Sequence, residues 1–68
     1  SDRPDTGLTE RERAVLALVG SGMQNKLIAM RLGISEKTVK AHLTNIFQRI
    51  GVFDRVQAAI WAQQQGIS

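Results

Sequence analysis

Apolar residues recur along this chain at three- and four-residue intervals, interrupted by glycines and by residues that cap helices. Thr9 followed by Glu12 has the form of a capping box, in which each side chain satisfies the other residue's backbone N–H. Leu8 stands where it can fold back on the first turn as a staple. Val15, Leu16 and Val19 keep helical spacing until Gly20-Ser21-Gly22 stops the run. A second helix is expected from Asn25, a good N-cap residue, through Leu27, Ile28, Ala29 and Leu32 to Gly33, which suits a left-handed cap. Ser35 caps a third, and Glu36 in its first turn suits the positive end of the helix dipole. Val39, Leu43, Ile46, Phe47 and Ile50 then form one apolar stripe, ended by Gly51, with Val52 set to touch Phe47 as in a Schellman motif. Asp54 and Gln57 form the box of a fourth helix running to about Gln65 and closed by Gly66. No stretch alternates with a two-residue period. The expectation is an all-α fold, a compact four-helix domain over residues 8–67, preceded by a polar linker or cut end at Ser1–Gly7 that holds the only proline.

The join between the second and third helices is the informative one. Only Gly33-Ile34 separates Leu32 from the Ser35 cap, and so short a link with glycine in the bend forces a steep crossing, the geometry of a helix-turn-helix. Ala29 is small where the two backbones would approach, and Ile34 can dock beneath the turn. Opposite the apolar stripe of the third helix lie Lys37, Ala41, Thr44, Asn45 and Gln48, flanked by Thr38 and Lys40. All are polar, cationic or small, and no acidic residue falls between Lys37 and Gln48. A major groove, about 12 Å wide, admits such a helix. A solvated outer face is the ordinary alternative. The tight turn, the small Ala29, the acid-free face and the basic excess together favour a DNA duplex.

Composition narrows the field. Sixty-eight residues leave room for one small domain, and nine Lys+Arg against six Asp+Glu give a formal +3, with a pI near 10.2. The absence of cysteine excludes disulfides, thiolate catalysis and Cys-ligated metal sites, and the single histidine, His42, makes a histidine-based triad improbable. There is no carboxylate pair with a companion base and no glycine-rich phosphate loop, so an enzyme is not expected, nor any metal or cofactor. The longest apolar stretch, Ala14 to Val19, is far short of a membrane span of ~20 residues. With no signal-peptide pattern, a cytoplasmic protein is expected.

Leu8-Thr9-Glu10-Arg11-Glu12, Val15-Leu16, Gly22, Asn25-Lys26-Leu27-Ile28-Ala29 and Leu32 through His42 resemble the LuxR-type DNA-binding domain. Leu43, Ile46-Phe47, Ile50-Gly51-Val52, Arg55 and Ala58-Ala59 continue the resemblance without a gap. It implies a bacterial, nucleoid-associated transcription regulator, the output domain of a response regulator in a two-component system, whose third helix enters the major groove. By that resemblance Lys40, Ala41 and Thr44 face bases, while Asn25, Lys26, Lys37, Thr38 and His42 fall at phosphate-contact positions. Ala41 and Thr44 are smaller than the residues some relatives carry, which leaves Lys40 as the strong donor to a guanine edge. Ala41 or the Thr44 methyl is then suited to a thymine methyl, with DNA shape and dimerisation contributing to specificity.

Several roles stay open at this level. His42 either contacts phosphate or bridges helices as a structural histidine. Arg49 and Arg55 either contact the DNA backbone or pair with Asp54 or Glu12. The fourth helix is apolar on two sides, with Val56, Ala59 and Ile60 on one and Ala58, Trp61 and Ala62 on the other. One side must face the core. The other suggests a second copy, in agreement with the resemblance, since the family commonly dimerises through this helix. Val56, Ala59, Ile60 and Trp61 are the dimerisation candidates, with Trp61 equally suited to the core. The partners expected are double-stranded DNA on paired half-sites and a second copy of the chain. A rival class is a protein–protein module whose third helix contacts RNA polymerase or another regulator. No small-molecule site or membrane contact is expected in this domain.

Overall fold

A computed structural model describes residues 7–67 and consists of four helices: α1 (Glu10–Gly20), α2 (Asn25–Leu32), α3 (Glu36–Ile50) and α4 (Arg55–Gln64). The expected Ser1–Gly7 linker lies outside the described residues except for Gly7. No strand occurs among the described residues. Thr9 and Glu12 close a complete capping box on α1: the Glu12 N–H donates to Thr9 Oγ1 at 3.1 Å, and the Thr9 N–H donates to a Glu12 carboxylate oxygen at 3.0 Å. This explains how a glutamate can be 6% exposed, since burial of a carboxylate is tolerated when it is hydrogen-bonded.

Val15, Leu16 and Val19 of α1, Ile28 and Ala29 of α2, Val39, Leu43 and Ile46 of α3 and Ala58 and Ala62 of α4 form the core, with Leu8 sealing its edge. Helix α1 packs chiefly on α4 and α3, and α2 packs on α3. The α1–α4 contact is close because small residues face each other there. Ala58 and Ala62 are fully buried, and a side chain at Gly20 would stand 3.5 Å from the Ala62 Cβ. The radius of gyration, 11.0 Å, matches the ~11 Å that a compact chain of this length has.

The turn between α2 and α3 is set by main-chain geometry. Gly33 takes a left-handed φ of 69°, which L side chains rarely adopt, and the Ile34 N–H donates to the Ala29 carbonyl at 3.0 Å. Ile34 packs against the core as the short loop requires. Gly51 ends α3 in the same way, with the Gly51 and Val52 N–H groups both bonded to the Phe47 carbonyl.

Two helix starts depart from expectation. Gln24, not Asn25, occupies the N-cap of α2 and makes no side-chain cap bond, while Asn25 is the first helical residue. The Asn25 side-chain oxygen accepts instead from the Arg55 guanidinium, which takes it away from local capping. At α4, Asp54 caps the Gln57 N–H at 2.9 Å as expected, but the Gln57 side chain reaches one residue further back, to the Phe53 N–H at 2.8 Å.

Candidate nucleic-acid interface

Helix α3 is anchored along one side and bare along the other. Val39 and Ile46 are fully buried and Leu43 nearly so, whereas Lys37, Thr38, Lys40, Ala41, Thr44, Asn45 and Gln48 are all exposed. Among the described residues, no element covers the polar face that periodicity predicts. At its start, Ser35 Oγ accepts from the Thr38 N–H at 3.0 Å and lies 2.9 Å from the Thr38 hydroxyl. These two hydroxyls sit at the positive end of a 15-residue helix, where anionic oxygens are favoured. Further along, the Thr44 hydroxyl donates to the Lys40 carbonyl.

The placement of charge reinforces this face. Every carboxylate among the described residues stands at a helix N-terminus: Glu10 and Glu12 on α1, Glu36 on α3 and Asp54 capping α4. Among the described residues, Glu36 is the one acid on α3, at the edge of the candidate face. Lys37 and Lys40 project from α3 itself, and Lys26 is exposed in the first turn of α2.

The other phosphate candidates are held differently. His42 is half-buried on the side of α3. Arg49 pairs with neither Asp54 nor Glu12; its guanidinium donates to the Gly7 carbonyl and ties the incoming chain to the end of α3. Arg55 pairs with neither acid. It is half-buried and donates to both the Asn25 side chain and the Met23 carbonyl, joining the start of α4 to the start of α2. Two candidates that sequence treated separately, Asn25 and Arg55, are thus brought together.

Helix α4 turns Ala58 and Ala62 inward, and Trp61 lies half-buried against the core beside them. Val56 and Ile60, one turn apart, are 69% and 51% exposed, with Ala59 half-buried between the two sides. Phe53, just before the helix, is a further exposed apolar side chain, at 91%. Sequence reasoning missed Phe53, although a signal exists. A residue before an N-cap is stapled by a large partner at the fourth helical position, and here that partner is only Ala58. Among the described residues there is no acidic, histidine or cysteine cluster able to hold a metal ion, and no helix long and apolar enough to cross a membrane.

A family model described as "Bacterial regulatory proteins, luxR family" matches residues 6–62. The nitrate/nitrite response regulator protein NarL of Escherichia coli strain K12 is 42% identical over 67 residues, covering 98% of this chain and 31% of that protein. The transcriptional regulatory protein LnrK of Bacillus subtilis strain 168 is 52% identical over 61 residues, covering 90% of this chain and 28% of that protein. The DNA-binding transcriptional activator DevR/DosR of Mycobacterium tuberculosis strain H37Rv is 41% identical over 61 residues. The chain therefore spans less than a third of the length of the curated relatives it matches.

Proposed function

This chain belongs to the luxR family of bacterial regulatory proteins, as a helix-turn-helix DNA-binding domain, and we propose that it is the output domain of a two-component transcription regulator. It lays α3 in the major groove of double-stranded DNA and works as a dimer on paired half-sites, in the bacterial cytoplasm at the nucleoid. The observation that carries this reading is the bare, acid-free face of α3, held outward by the burial of Val39, Leu43 and Ile46.

Lys40, Ala41 and Thr44 face base edges, with Lys40 donating to guanine. Lys26, Lys37, Thr38 and His42 meet phosphates and fix the register without reading sequence. Asn25 and Arg55 act there as a joined pair, and Arg49 reaches the backbone from the end of α3. The second copy lies along α4, on the ridge of Val56 and Ile60 with Ala59 and Trp61 at its flanks; the exposure of two large apolar side chains one turn apart supports this. Two-fold symmetry then sets the recognition helices about 34 Å apart or a multiple of it. RNA polymerase is a further partner of the assembled regulator.

Selection of bound duplexes from a random pool, followed by titration against salt, tests the reading. Neutralising Z phosphates gives a log–log slope of about −0.9Z, and the recovered motif is expected to repeat at whole-turn spacing. A chain that retains no duplex is a protein adaptor. A motif that never recurs in pairs removes the dimer. Lys26→Ala is expected to weaken all sequences alike and reduce the salt slope by about 1.

A further inference from the structure

The Thr44 hydroxyl is already committed within α3. It donates to the Lys40 carbonyl four residues back, at 3.1 Å. A threonine bonded to its own helix in this way has spent its only donor on main chain. What remains on its exposed side chain is the acceptor capacity of the hydroxyl oxygen and the methyl on the other arm of Cβ. Ala41, three residues earlier and so its neighbour on the same face, is also exposed and carries only a methyl. Two methyls therefore sit side by side on the bare face, next to Lys40. Thr44 also borders a shallow hollow lined by Phe47, Gln48, Gly51, Val52 and Phe53, so apolar groups neighbour it toward the end of the helix as well as the Gln48 amide.

In the major groove, thymine is the one base of the four that presents a methyl, at C5. We infer that Ala41 and Thr44 read thymine by apolar contact with that methyl, and that Thr44 does not act as a hydrogen-bond donor to a base. The inference rests on the docking of α3 in the major groove. It divides the reading face into two chemistries: Lys40 recognises acceptor atoms, and the two small residues recognise a 5-methylpyrimidine. A side chain larger than either would hold the helix further from the base edge, so the small size of both residues becomes part of the recognition.

The test uses a duplex selected from a random pool by this chain, with each deoxythymidine replaced in turn by deoxyuridine. That change removes only the methyl and leaves every hydrogen-bonding edge intact. The expected result is a roughly fourfold loss of affinity for each methyl contacted, at one or two thymines per half-site, with no change elsewhere. Thr44→Val, which keeps methyls and discards the hydroxyl, is expected to keep the preference for thymine over uridine at that position. Thr44→Ser, which keeps the hydroxyl and discards the methyl, is expected to lose about as much as the uridine replacement and to stop distinguishing the two duplexes at that position. Uridine tolerated at every position overturns the inference while leaving duplex binding intact. So does the reverse pattern, loss with valine and retention with serine. Failure to retain any duplex overturns groove docking itself, and this inference with it.

Discussion

Helices α3 and α4 both bury one side in the same core, yet they offer opposite surfaces to the outside. The free side of α3 is amide, hydroxyl, ammonium and methyl; the free side of α4 carries Val56 and Ile60. Water satisfies the first at no cost, so its exposure alone is weak evidence of a partner. The second leaves apolar area in water, at about 25 cal/mol per Å², and gains by being covered. What makes the α3 face informative is charge. The described carboxylates have been drawn off to helix starts, which leaves a surface matched to a polyanion. One helix offers a face suited to a charged rod, and the other leaves apolar side chains in water.

The strongest challenge to this contrast is a change on the buried side of α3. Ile46→Ala, at a fully buried position, is expected to cost about 2–5 kcal/mol of stability in denaturant titrations, and to remove DNA binding only through unfolding. Lys40→Ala leaves the melting temperature unchanged and is expected to cost about 1–3 kcal/mol at the preferred duplex, relaxing choice at one base pair; a uniform loss over all sequences makes Lys40 a phosphate contact. Ser35→Ala removes the cap that starts α3 and is expected to cost about 1 kcal/mol in thermal unfolding, whereas Gln24→Ala, at a cap position with no side-chain bond, costs little. Smallest in stability is Val56→Glu, within about 0.5 kcal/mol of the parent, with weakened self-association in sedimentation. Trp61→Glu, whose side chain packs on the core, destabilises the fold instead. If both α4 variants fold and both stay associated, the ridge is not the dimer contact.

What was legible in sequence and what was not separates along the range of the interactions. The Thr9–Glu12 box, the Ser35 and Asp54 caps and the glycine ends at Gly33 and Gly51 are formed within a few residues, so spacing alone predicts them. The third-helix face was equally legible, because helical periodicity assigns its two sides without knowledge of the neighbours. Asn25 was misread because its partner, Arg55, lies 30 residues away and outcompetes the local cap. Arg49 and Arg55 pair with neither Asp54 nor Glu12, because each reaches a main-chain carbonyl on a distant stretch of chain, which spacing does not reveal. Which side of α4 turns inward could not be read from two apolar faces. It depends on the close approach of α1, which admits Ala58 and Ala62 but nothing larger.

The corner at Gly33 has a consequence for how such a domain changes over generations. Its angle comes from a left-handed main chain and the Ile34–Ala29 bond, and it consults none of the side chains at positions 37, 40, 41, 44 and 48. Those five can be exchanged without altering the bend or the packing behind it. Under the proposed docking of α3, the residues that meet a duplex can therefore change while the frame that holds them keeps its stability.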